Sequence, residues 1–380
     1  MVNRRRVFGL SVVAMAAVLS VGVFAQKKDD KKDDKKAAEA QARENQAARK
    51  AVDDVVAGQP APNDFNVAWV REDFIKAAGS KTYVPFIVTL DPSKATPGSP
   101  ISFYWRVVSK TAAAAPPAAP AAGKKDDKKD DKNDKKKADY PWEDIGPLTP
   151  TGNSTSLRVA RSFTVSAGSY DVYVVAKEPA SLQKGAPAPK MSVFKKTIDV
   201  PDYWNGELNT SSIIVAQRVD PLPAPLTPDQ MIERPYALGG AEILPSMDHK
   251  IAKNGTFNVF LLIYNPKADA SNKPNVTVEY SFCQASAGAE PKPGEPCKAG
   301  EKFFNRTNPV SFTAETLPPQ FDVNAGQPLP ASQGVSLQTF PEGDYRLEIK
   351  IIDKNANKTL MREVNFTVMP IAQSGSGAAR

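Results

Sequence analysis

Two stretches of this sequence repeat one another at a nearly constant offset, and that limits the possible architectures more than any other feature. Phe86-Ile-Val-Thr-Leu-Asp-Pro92 stands 174 positions before Phe260-Leu-Leu-Ile-Tyr-Asn-Pro266, and Pro100 keeps that offset to Pro274. One residue later the offset becomes 175. Ile101, Phe103, Trp105 and Val107 then correspond to Val276, Val278, Tyr280 and Phe282, and Gly168-Ser169-Tyr170 to Gly343-Asp344-Tyr345. In both copies apolar residues fall on alternate positions, the period of a strand with one buried face. Each copy ends in a further strand, FKKTIDV (194–200) or LMREVNF (360–366), which closes a hairpin. The pattern reads as a duplicated all-β unit.

Strand patterns are read at Lys81–Leu90, Ile101–Val108, Leu157–Val165, Tyr170–Lys177 and Met191–Val200. They resume at Ser211–Val219, Phe257–Tyr264, Asn275–Cys283, Tyr345–Ile352 and Leu360–Val368. Short strands between Pro- and Gly-rich turns imply sandwiches, and 34 prolines in 380 residues suit that punctuation. The expected organisation is all-β: two tandem β-sandwiches over 63–200 and 201–369, followed by a flexible tail, 370–380. The G-x-Y-x-[VL]-x-[VI] strands at Gly168 and Gly343 resemble the tyrosine-corner strand of immunoglobulin-like and fibronectin type III domains. That resemblance implies that the Tyr170 and Tyr345 hydroxyls tie back to upstream backbone. Val172 and Leu347 occupy the position of the antibody inter-sheet cysteine, which points to the wider immunoglobulin-like class.

Residues 1–25 read as a secretory signal. Arg4, Arg5 and Arg6 precede an apolar run, Val7–Val23, and Val23-Phe24-Ala25 supplies a small-residue cleavage site. The expected location is periplasmic or extracellular, with no membrane span left after cleavage. The pair Arg5-Arg6 leaves general and twin-arginine export both open. The segment 26–62 is expected to be a disordered Lys/Asp tract (KKDDKKDDKK, 27–36), an exposed and partly frayed helix over 37–56, and a linker. A second tract, 124–137, makes 110–139 an expected disordered insertion within the first sandwich. In an oxidising compartment Cys283 and Cys297 have one possible pairing, read as a staple on a long hairpin loop; two free thiols or a redox pair are the alternatives.

The formal charge of +7 is misleading. Arg4–Arg6 carry +3 and the two tracts +2 and +3, which leaves −1 for all other residues. A folded basic surface for nucleic acid is therefore not expected. Catalytic patterns are missing as well: His249 is the single histidine, and no G-x-S-x-G, H-E-x-x-H, C-x-x-C, phosphate loop or calcium loop occurs. The adjacent carboxylates Glu143 and Asp144 give no support for glycoside chemistry by position alone. No catalytic, cofactor or metal residue is assigned. Trp69, Trp142, Tyr203 and Trp204 lie near strand ends or linkers and are read as surface or interdomain aromatics.

PDYWNGELNTSSIIVAQRV, APLTPDQ, ERPYALGG, GEKFFNRTNP and FPEGDYRLEIKIIDK together resemble exported tandem β-sandwich proteins of soil-type, acidobacterial-like bacteria, over residues 64–369. That group brings no activity with it, so no functional residue is carried over. The sequence alone suggests an exported, non-enzymatic scaffold or adaptor that binds another envelope or extracellular protein. The alternative is a glycan or cell-wall binding module that uses surface aromatics.

Overall fold

The computed structural model describes residues 23–110, 140–148, 156–181, 185–224, 226–238 and 240–371. The expected signal up to residue 22, the core of the expected insertion (111–139) and the tail beyond residue 371 lie outside the described residues.

The chain opens with α1 (Val23–Val56). The next strands are β1 (Ala68–Glu72), β2 (Ile75–Ala77), β3 (Lys81–Leu90), β4 (Ile101–Ser109), β5 (Trp142–Leu148), β6 (Leu157–Val165), β7 (Gly168–Lys177) and β8 (Met191–Val200). Then come β9 (Asn209–Thr210), β10 (Ile214–Pro221), α2 (Pro228–Glu233), β11 (Ala237–Leu238), β12 (Ala241–Pro245) and β13 (Lys250–Ala252). The chain closes with β14 (Thr256–Tyr264), β15 (Val276–Ala285), β16 (Glu301–Arg306), β17 (Val310–Phe312), β18 (Leu329–Ser336), β19 (Gly343–Asp353) and β20 (Lys358–Met369).

The fold is mostly β, in four sheets that stack as layers. Sheet I has the order β5-β4-β7-β8. In sheet II, β1 and β2 pair with successive stretches of one edge of β3, and β6 takes the other edge. Val84, Phe86 and Val88 of β3 face Phe103, Trp105 and Val107 of β4 and Val172 and Val174 of β7 across one fully buried core. Sheet III runs β11-β12-β10-β14-β18, with β9 also on β14. Sheet IV runs β13-β20-β19-β15-β16, with β17 also on β15. Phe257, Val259 and Leu261 of β14 meet Val278, Tyr280 and Phe282 of β15 and Leu347 and Ile349 of β19 in a second core.

Strand registers recur 175 positions apart. Trp105 lies opposite Val174 and Tyr280 opposite Ile349. The last hairpin differs from the sequence alignment by two residues: Gly168 faces Val200 and Gly343 faces Val368, so FKKTIDV corresponds to Arg362–Val368. The buried pairs Ile198/Val200 and Phe366/Val368 set that register, because a one-residue slip would turn them to solvent.

Strands β3 and β14 are apolar on both faces, and both faces are used. Ile87, on the outer side of sheet II, and Ile214, on the outer side of sheet III, are fully buried together with Ala216, Tyr236 and Ile243. Sheets II and III thus pack against each other. Burying one such isoleucine contributes about 1.5–3 kcal/mol.

The expected exposed helix is corrected here. Ala48, Ala51 and Val52 of α1 are buried against Tyr104, Tyr173, Val175 and Val193 on the outer face of sheet I, with Val55 beside them. The three-and-four spacing puts these residues on one helix face. The alanines supply little bulk themselves, but they let the backbone approach the two tyrosine rings closely. The backbone of α1 also runs through the first Lys/Asp tract; nucleating a helix costs more than extending it.

Candidate binding site

The residues singled out in the sequence occupy distinct places. The Tyr170 hydroxyl donates to the Ser166 carbonyl and the Tyr345 hydroxyl to that of Pro341, each at 2.9 Å and four residues upstream. Cys283 and Cys297 form a disulfide, S–S 2.10 Å, joining β15 to the loop before β16. Glu301 lies near that sulfur pair, but its carboxylate holds Arg346 at 2.7 and 2.8 Å and the sulfurs are bonded to each other. This group is a structural staple. His249 is a turn residue with φ +54°, its ring nitrogen 3.0 Å from the Asn365 carbonyl.

Among the aromatics, Trp69 stacks on Phe86 at 4.8 Å and donates to Glu72. Trp142 is half-buried against the first core. Tyr203 is buried at the junction of sheets II and III, where its hydroxyl donates to the Phe74 carbonyl and its ring packs on Tyr264. Trp69 and Trp142 are thus half-buried and Tyr203 is buried. Trp204 is 43% exposed; its indole donates to the Lys81 carbonyl, and the Lys76 ammonium sits 4.3 Å above its ring.

A recess lies where β6 meets the excursion from β10 to β12. Between β10 and β14 the second half carries α2, β11, β12 and β13, whereas β1 leads almost directly to β3 in the first half. Thr227 caps α2, with reciprocal bonds to Gln230. The excursion reaches sheet II through the Tyr83 hydroxyl, which donates to the Pro235 carbonyl, and through the Tyr236 hydroxyl, which donates to Asp73 at 2.8 Å. Asp73 also accepts both forks of Arg71. Burial, then the charge of Asp73, pushes the Tyr236 hydroxyl well above its ordinary pKa, so it stays a neutral donor.

Beside this network is a cleft of about 360 Å³, lined by Arg158 and Arg161 of β6, Glu233 and Tyr236 of the excursion, and Leu148 of β5. Among the described residues β6 pairs only with β3, which leaves its other edge unpaired there. Side chains of the same unit close part of that edge: Arg161 donates to the Ala160 carbonyl and the Trp105 indole to the Ser162 carbonyl. Covering edge carbonyls discourages unwanted strand pairing. Burial lowers the pKa values of both the Arg158 and the Arg161 guanidinium. The sequence held one signal of this site: Arg161 stands at an inward position of an otherwise apolar series, Leu157, Val159, Phe163 and Val165.

A second polar cluster fastens α1 to sheet I. Arg106, 1% exposed, donates to Asp53 of α1 at 2.6 Å and to the Tyr104 hydroxyl, and stacks on Tyr140 at 4.0 Å. Glu143 accepts a fork from Arg49 of α1 at 2.7 and 2.9 Å, and the Tyr104 hydroxyl as well. Lys177 pairs with Glu44. Asp144, beside Glu143, accepts the Ile145 amide at 2.7 Å.

Comparison with known proteins finds no protein-family model and no curated protein that matches the chain. Among the described residues, no helix is long and apolar enough to cross a membrane.

Proposed function

We propose that the chain is an exported scaffold or adaptor, built from two duplicated immunoglobulin-like sandwiches over 63–200 and 201–369, that binds another envelope or extracellular protein. The strand order supports the immunoglobulin-like reading. Each half sets a sheet in the immunoglobulin A-B-E order (β1 and β2, β3, β6; β10, β14, β18) against one in the C′-C-F-G order (β5, β4, β7, β8; β16, β15, β19, β20), and each F strand, β7 and β19, carries a tyrosine bonded four residues upstream. The recurring registers support duplication.

The observation that carries the binding role is the β10–β12 excursion. It is hydrogen-bonded to sheet II through Tyr83 and Tyr236, and Val219, Met231 and Ile232 within it are 47, 40 and 42% exposed. Large apolar side chains presented on an insertion favour docking. A binding protein also suits the use made of the ionisable groups, because Arg71, Asp73, Tyr236, Arg234 and Glu242 are engaged with each other. Glycan stacking has less support: among the described residues Trp204 is the one exposed large aromatic, and Lys76 covers a face of its ring.

The test is cross-linking mass spectrometry on cells expressing a tagged copy. A recurrent protein partner, mapped to 217–245 and lost in the Met231→Ser/Ile232→Ser variant, is expected. Sedimentation with cell wall and no protein partner would overturn the reading.

A further inference from the structure

We infer that Asn205-Gly206, in the segment between β8 and β9, is a site of spontaneous modification, where the asparagine is converted to aspartate and isoaspartate. This goes beyond partner docking and stands whether or not the chain binds a protein. Two Asn-Gly pairs occur in the sequence, Asn205-Gly206 and Asn254-Gly255. The reaction needs a free, uncrowded amide on the following residue, because that nitrogen attacks the asparagine Cγ. Asn205 and Gly206 are both exposed. The Gly206 amide has no hydrogen-bond partner among the described residues, and a Cβ added there would meet nothing within 4 Å. The Glu207 amide donates to Asn205 Oδ1 at 2.9 Å. That bond closes a turn containing both the Asn205 Cγ and the Gly206 nitrogen, and its donor stabilises charge developing on Oδ1. Asn254-Gly255 differs. The Gly255 amide donates to the Ala252 carbonyl at 2.8 Å, and the Gly255 carbonyl accepts the Leu337 amide at 3.1 Å. A Cβ on Gly255 would stand 3.0 Å from the Ala252 oxygen and from Ile251. Its nitrogen is engaged, and turning that peptide breaks hydrogen bonds.

In the first step the Gly206 nitrogen loses its proton and bonds to Asn205 Cγ. The side-chain nitrogen leaves as ammonia, and a cyclic imide remains. Water then opens the imide at either carbonyl. One opening gives aspartate; the other gives isoaspartate, in which the chain continues through the side chain. No oxidant or cofactor is consumed. A turn role accounts for the residue types: Gly206 has φ +79°, which side chains rarely adopt, and asparagine suits the turn. Neither feature engages the Gly206 amide, so the reactivity remains. The product bears on the junction between the halves. Asn265 Nδ2 donates to the Tyr203 carbonyl at 3.0 Å and to the Glu207 carbonyl at 2.9 Å, so the chain is clamped on both sides of Asn205. Isoaspartate inserts a backbone carbon between those two points, and both products add a negative charge close in sequence to Asp202 and Glu207.

The experiment is peptide mass mapping of the full chain after ageing in mildly alkaline buffer, once folded and once in urea. In the folded chain Asn205 is expected to convert to aspartate and isoaspartate while Asn254 keeps its amide. In urea the two sites should convert at like rates, since the contrast comes from the fold. Conversion should quicken as pH rises, because the attacking amide must lose its proton. Ion exchange should separate the new acidic form; Asn205→Gln should lose it and Asn254→Gln should retain it. No conversion at Asn205 in the folded chain, conversion at Asn254 at an equal rate, or the same contrast in urea overturns the proposal.

Discussion

Truncating Val52 to alanine tests whether α1 is a docked layer or a solvated extension. Val52 is fully buried against sheet I, whereas Val56, one turn further on, is 58% exposed. Val52→Ala removes two buried carbons, about 1.6 kcal/mol of transfer free energy at ~0.8 kcal/mol each, with a further cavity term. Alanine returns about 0.5 kcal/mol through its higher helix propensity. The net loss is about 1–2 kcal/mol, and it falls on docking because an isolated helix of this kind is marginal in water. Val56→Ala makes the same chemical change without the burial, so its effect should stay within about 0.5 kcal/mol. Amide hydrogen exchange over residues 44–56 is the assay. Exchange should quicken about 5–30-fold in Val52→Ala and hardly at all in Val56→Ala. Equal exchange in the two variants would refute the docked helix.

The junction of sheets II and III should respond similarly: Ile87→Ala is expected to cost about 2–4 kcal/mol, read from the urea midpoint, and a cost below 1 kcal/mol would contradict the stacked sheets. Reducing the Cys283–Cys297 bond, which closes a loop of 14 residues in separation, should cost about 3 kcal/mol, and Cys283→Ser/Cys297→Ser should lose all further sensitivity to reductant. Burial alone would raise the Glu143 pKa, but Arg49, then Tyr104 and Arg106, hold it below the usual carboxylate value. Its folded pKa is thus below the unfolded one, near about 4.3, so the stability it gives is present above that pH and is lost as pH falls through the folded value. Glu143→Gln should flatten the acid limb of stability between about pH 3 and 5, measured by denaturant midpoints. Tyr345→Phe should cost about 1 kcal/mol through the lost bond to the Pro341 carbonyl.

The long, strictly patterned strands were legible in the sequence. Lys81–Leu90, Leu157–Val165 and Met191–Val200 match β3, β6 and β8 residue for residue, because alternation and flanking turn residues are local signals. Elements without such alternation escaped detection. Strand β5 (WEDIGPL) carries two carboxylates and a proline, and β18 (LPASQGVS) holds a proline and a glycine; both are edge strands, held by a single neighbour. The proline-rich segment after β10 leads into a capped helix.

By itself the sequence determined the strand periods, the turns between them and the single possible cysteine pairing, since each depends on residues near one another or on simple counting. Only the tertiary structure decided what covers the second face of each apolar strand, because periodicity cannot say whether that face meets water or another layer. It decided that alanines on α1 suffice, given the tyrosines of sheet I beneath them. It also decided which charges are satisfied. Arg49 finds Glu143 across 94 residues of chain and Tyr236 finds Asp73 across 163. Charge balance at a buried site is a property of chain segments brought together by folding, and no local reading of either segment contains it.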